Sequence, residues 1–154
     1  MSPPRKEAPP VHVLVLGGPN LNTLGSREPA IYGTVTLEEI EAGLAPVAAE
    51  LGIKLEWYQS NHEGALIDRL QKRADWAHGA LLNAGALTHY GYALVDAVRA
   101  FGKPVVEVHL SNVHAREAWR RSSVLAQACA GGVYGFGPDS YRVALFALAR
   151  LLAP

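Results

Sequence analysis

Val11-His12-Val13-Leu14-Val15-Leu16-Gly17-Gly18-Pro19-Asn20 is the stretch from which the fold can be read. Residues 11–16 form an apolar run bounded by turn residues, the pattern of a buried β-strand. Gly17, Gly18 and Pro19 then allow a sharp turn that presents an amide side chain, Asn20, at the strand's end. The segment that continues to Gly33 is too long for a plain connection in so short a chain. It reads as a structureless binding loop or lid, and it carries residue types that chemistry uses: Asn20, Asn22, Arg27, Glu28 and Tyr32.

Outward from that strand, helical and strand patterns alternate. Thr36-Leu37-Glu38-Glu39 is a capping box opening a helix whose apolar residues are Leu37, Ile40, Leu44, Val47 and Leu51, with a kink expected at Pro46. Residues 53–58 alternate as an edge strand with one wetter face. Ser60-Asn61-His62-Glu63 reads as a second capping box, before a helix carrying Leu66, Ile67 and Leu70. A short strand over 79–82 ends at Asn83, a helix presents Ala93, Leu94, Ala97, Val98 and Phe101, and Gly102 closes it. A fourth strand covers 105–110, a loop passing into a short helix 111–121, a fifth strand 132–136 and a last helix 140–152. Such alternation predicts an α/β fold with a parallel sheet covered on both sides, and an edge-like second strand fits the doubly wound order 2-1-3-4-5.

Composition narrows the class. The chain has 154 residues, 49% of them apolar, and 14 basic side chains balance 14 acidic ones. One domain over residues 11–154 follows, preceded by a proline-rich, charged tail over 1–10 that reads as disordered. A neutral chain lacks the basic stripe that nucleic acid requires, and no run approaches the roughly 18 apolar residues of a membrane span. No segment reads as a signal peptide, so a cytoplasmic location is the default. Cys129 lies between Ala128 and Ala130 and reads as a small hydrophobe rather than a nucleophile.

In an open parallel sheet, ligands sit beyond the carboxyl ends of the strands where strand order reverses. Asn20 after the first strand, Asn83 at the end of the third and His109 near the end of the fourth converge there. Glu107 and His109 are two apart on one strand, so their side chains share a face, and a carboxylate beside an imidazole favours a protonated donor. Ser111 and the amides at the following turn suit a carboxylate, although a Ser-Asn turn also serves as a plain cap. His89 reaches the same sheet edge. Arg116 and Arg120 are one helical turn apart, and either face one ligand together or stand as solvated surface. Nucleotide-binding glycine motifs, metal-ligand spacing and a nucleophile elbow are all absent. The residues therefore indicate a small anionic, hydroxylated ligand and acid–base chemistry by a tyrosine and a histidine.

The motifs Gly-Pro-Asn-Leu-Asn, Arg-Glu-Pro-Ala-Ile-Tyr-Gly, Gln-Ser-Asn-His-Glu-Gly, Leu-Asn-Ala-Gly-Ala-Leu-Thr-His and Glu-Val-His-Leu-Ser-Asn-Val-His-Ala-Arg-Glu occur in this order. With them the chain closely resembles the type II 3-dehydroquinate dehydratases, from about Val11 to Leu152. The resemblance implies a flavodoxin-like fold, a homo-oligomer of twelve chains built as four trimers, no cofactor, and conversion of 3-dehydroquinate to 3-dehydroshikimate in the shikimate pathway or quinate breakdown. It implies Tyr32 as the base with Arg27 beside it, and Asn20 as the stabiliser of an enolate through a water. His109, held by Glu107, becomes the proton donor. Asn83, Leu110 and Ser111 would hold the substrate carboxylate, and His89 and Arg120 its ring hydroxyls, with Asp96 entering from a neighbouring subunit. The competing class is a non-catalytic binding module of the same fold.

The chain departs from the family pattern at a few positions: Gly17 for Asn, Tyr90-Gly91 for a small hydroxyl pair, and Ser122 and Val124 for His and Tyr. The Tyr90-Gly91 pair raises two expectations. Tyr90 packs across a subunit interface, and Gly91→Ser is neutral or slightly stabilising because a hydroxyl there would cap the following helix.

Overall fold

The computed structural model describes Ser2 and residues 7–154, so half of the tail assigned as disordered lies outside the described residues. Among these residues five strands, β1 (Val11–Gly17), β2 (Ile53–Gln59), β3 (Gly79–Asn83), β4 (Val105–His109) and β5 (Gly131–Tyr134), form one parallel sheet in the order β2-β1-β3-β4-β5. This is the doubly wound α/β order expected from the alternation, with β2 at an edge.

Among the described residues, five α-helices accompany the sheet: α1 (Pro29–Tyr32), α2 (Leu37–Glu50), α3 (Glu63–Arg73), α4 (Tyr92–Phe101) and α5 (Asp139–Leu152). Strand side chains alternate between the two faces, so each face has its own core. Val13, Val15, Leu81, Val106 and Val108 point to one side, where Ile40 and Leu44 of α2 and Leu145 and Leu148 of α5 meet them. Leu14, Leu16, Ala80, Leu82 and Val105 point to the other, against Leu66 and Leu70 of α3 and Leu94, Val98 and Phe101 of α4. At the opposite end from the strands' carboxyl termini, the backbone N–H of His12 donates to His78 Nδ1 at 2.8 Å, and the His12 ring stacks on Trp76.

Local structure agrees with the sequence at several ends and departs from it at others. Thr36 and Glu39 make the reciprocal pair of hydrogen bonds of a capping box, and α2 runs through Pro46 to Glu50. Gly102, at φ 67°, ends α4. The second capping box does not form. His62 is the residue before α3 and caps with no side chain, while Ser60 Oγ accepts from the His62 N–H at 3.0 Å. The serine hydroxyl is spent on this local turn, two residues before the N-cap position and too early to reach into the helix. Nor is the segment after β1 structureless: Leu21–Thr23 and α1 are short helical turns, with Asn20 and Glu28 in left-handed conformations before them. The expected short helix after β4 is two 3₁₀ turns, Val113–Ala115 and Ala118–Arg121. Among the described residues no helix is long and apolar enough to cross a membrane.

Candidate active site

Parallel strands deliver their ends to one edge of the sheet, and there the loops after β1, β3 and β4 meet. Gly18 makes the meeting close. Its N–H donates to the Asn83 carbonyl at 2.7 Å, and a Cβ at position 18 would lie 2.4 Å from the Ala84 carbonyl oxygen. Only glycine permits that approach. The result is a cleft of about 390 Å³, part of it open to solvent, lined by Arg27, Tyr32, Asn83, His89, His109, Leu110, Ser111, Arg116 and Arg120 among others.

Tyr32 ends α1 and is flanked by two cations. The Arg27 guanidinium lies 4.4 Å from the ring centroid, and that of Arg116 lies 5.1 Å away. Arg116 Nη1 also donates to Tyr32 Oη at 2.8 Å and to Ser111 Oγ at 3.2 Å. Of the two sequence readings for Arg116, the one that faces it into the site with Arg120 is realised. Its signal was the four-residue spacing from Arg120. What the sequence could not carry was the contact with Tyr32, 84 positions away.

His109 Nε2 lies 3.2 Å from Glu107 Oε2, both side chains being nearly buried. Burial alone pushes the Glu107 carboxyl up. Hydrogen bonds from His109 and Ser123, with the positive charge of His109 and His89, outweigh it and hold the carboxyl below its ordinary range. The Ser123 hydroxyl donates to Glu107 Oε1, a contact the sequence reading missed, since serine at a loop position carries no distinguishing pattern. Glu107 thus keeps its charge and fixes the imidazole through Nε2, leaving Nδ1 outside that pairing.

His89 closes the 3₁₀ turn Gly85–His89, and its Nδ1 donates to the Ser122 carbonyl at 2.7 Å. A ring whose Nδ1 carries the proton leaves Nε2 as an acceptor when neutral, suited to a hydroxyl. The departure at Ser122 does not touch this contact, because the backbone makes it. Arg120 Nε is paired with Glu117 Oε2 at 2.5 Å.

Three expected site residues stand outside the cleft lining: Glu107, which reaches it only through its contact with His109, and Asn20 and Asp96. Asn20 is exposed, with φ 70°, and its backbone N–H donates to Asn61 Oδ1 at 2.9 Å. Asp96 is exposed on α4. Cys129 is no nucleophile: burial, with the charge of Glu107 as a smaller cause, pushes its thiol up to about 12. The described residues hold no cluster of metal-ligating side chains.

The expectation for Gly91 is overturned. A Cβ there would lie 2.7 Å from both the Leu87 carbonyl oxygen and Glu63 Oε2. The hydroxyl that was to cap α4 has no room to be placed, because a backbone oxygen and a carboxylate already occupy the space. Tyr90 is 61% exposed on the single chain.

Residues 11–149 match the family described as dehydroquinase class II. A 3-dehydroquinate dehydratase of Rhizobium johnstonii is 52% identical over 92% of this chain and 97% of its own length, and one of Bacillus cereus is 51% identical over 91% and 96%. The crystal structure of a type II dehydroquinase from Butyrivibrio crossotus aligns with a TM-score of 0.89 at 40% identity, covering 92% of this chain and 99% of that one. A type II dehydroquinase from Propionibacterium acnes aligns at 0.86 and 39%, covering 90% and 96%.

Proposed function

Because the chain belongs to the class II dehydroquinase family, we propose how its cleft dehydrates 3-dehydroquinate to 3-dehydroshikimate in the shikimate pathway. Tyr32, as phenolate, takes a proton from the carbon next to the ketone. Arg116 donates a hydrogen bond to its oxygen and Arg27 covers its ring. The electrons move into an enolate, which Asn20 stabilises through a water, the family role for that residue. Collapse of the enolate forms the double bond and expels the hydroxyl, which leaves as water with a proton from His109. Glu107 holds that imidazole in place through its 3.2 Å contact with Nε2.

Asn83 and the Leu110–Ser111 segment take the substrate carboxylate, and His89 and Arg120 the ring hydroxyls. Asp96 serves the site of a neighbouring subunit in a dodecamer of four trimers, in the cytoplasm, and no cofactor is needed. The single observation that carries the mechanism is the 2.8 Å bond from Arg116 to Tyr32 in the same cleft as His109, which Glu107 contacts from behind at 3.2 Å.

The test is absorbance of the conjugated enone of the product. The wild-type protein should produce it, and Tyr32→Phe should lose about three orders of magnitude or more in kcat while substrate affinity changes little. Substantial turnover by Tyr32→Phe rules out the assignment of the base. Substrate binding by the wild type without any enone supports the non-catalytic binding module instead.

A further inference from the structure

Beneath the cleft a second tyrosine touches a site residue. Tyr141, in the first turn of α5, is 1% exposed, and its ring lies 5.7 Å from Trp57 within the core shared by α2 and α5. Its hydroxyl is 3.1 Å from Asn83 Nδ2, 58 residues away in sequence. On the other side of the same carboxamide, the backbone N–H of Gly85 lies 3.3 Å from Oδ1. A backbone N–H only donates, so Oδ1 must face Gly85, and Nδ2 must face Tyr141. Both orientable atoms of the amide are therefore accounted for by groups that no ligand moves.

We infer that Tyr141 is a positioning residue: its hydroxyl locks the Asn83 carboxamide so that the remaining Nδ2 proton is presented to the cleft as a donor. This rests on the proposed role of Asn83 toward the substrate carboxylate. An asparagine free to rotate by half a turn offers an acceptor as readily as a donor, and an acceptor repels a carboxylate. With the amide held at both ends the cleft shows only the donor, and the ordering cost is met on folding rather than on binding. The two tyrosines divide by their surroundings. Tyr32 sits between two guanidinium groups, whereas burial pushes the Tyr141 hydroxyl up to about 12, so it stays a neutral phenol that accepts from Asn83 and takes no part in proton transfer.

The experiment is a double-mutant cycle on Tyr141→Phe and Asn83→Ala, read as KM and kcat. Tyr141→Phe keeps the ring and removes the lock, so KM should rise about 5- to 10-fold with kcat within about twofold of wild type. Added to Asn83→Ala, it should raise KM no further, because there is no amide left to orient. Leu145→Val, in the core on the same helix, should lower thermal stability while leaving KM unchanged, which separates positioning from general loosening. An unchanged KM in Tyr141→Phe overturns the inference, as does an equal rise in the Asn83→Ala background. Should the variant not fold, the Asn83 carboxamide protons of the wild-type protein report directly: slow exchange with solvent supports the lock, and exchange at the rate of a free amide refutes it. Failure of the functional reading looks different, as the wild type would then form no enone, and the cycle can be run on substrate dissociation constants by calorimetry.

Discussion

Gly91→Ser should destabilise this protein, the opposite of what a capping argument from sequence expects. The new Cβ would sit 2.7 Å from the Leu87 carbonyl oxygen, about 0.7 Å inside the distance at which ordinary contact begins. That oxygen cannot retreat freely, since it accepts the N–H of Gly91 at 2.7 Å and that of Tyr90 at 3.2 Å. The same Cβ would meet Glu63 Oε2, a buried oxygen with no hydrogen-bond partner among the described residues. Overpacking of this kind costs about 1–3 kcal/mol, and the added hydroxyl recovers at most part of that by capping. For a chain of this size the melting temperature should fall by about 3–10 °C. Because Leu87 belongs to the turn that ends in His89, KM for 3-dehydroquinate should rise as well. The measurement is thermal unfolding beside steady-state kinetics. Gly64→Ala is the control: nothing lies within 4 Å of a Cβ there, so it should be neutral or slightly stabilising. A Gly91→Ser protein that melts at or above the wild-type temperature would refute the steric argument.

Two other outcomes follow from the site. The lowered Glu107 carboxyl contributes stability that is present above the unfolded value of about 4.3 and is lost as pH falls through the lower native one. Ser123→Ala removes one of the bonds that depress it, so acid unfolding should begin at higher pH and stability at neutral pH should drop by about 1.5–3 kcal/mol. Melting curves across the acid range check this, and coincident profiles for variant and wild type would exclude a role for Ser123. Asp96→Ala should raise KM with little change in kcat, and the native protein should sediment as a trimer-based oligomer; a fully active monomer would contradict the neighbouring-subunit role.

Alternation of periodicity along one chain is a local property, and it was enough to determine the parallel α/β sheet, its strand order and the two-sided burial. The same holds for Glu107 and His109, whose side chains share a face because a strand repeats every two residues. The motifs were equally local, and they carried the family. What only the tertiary structure decided were contacts between distant segments. Arg116 reaches Tyr32 across 84 residues, Ser123 reaches Glu107 and Tyr141 reaches Asn83 because parallel strands and a final helix bring separate loops to one edge. Periodicity does not encode which loop residue meets which. Gly91 marks the same limit: as a position in a string it looked like a missing cap, and its meaning came from a carbonyl and a carboxylate that fill the space where a side chain would go.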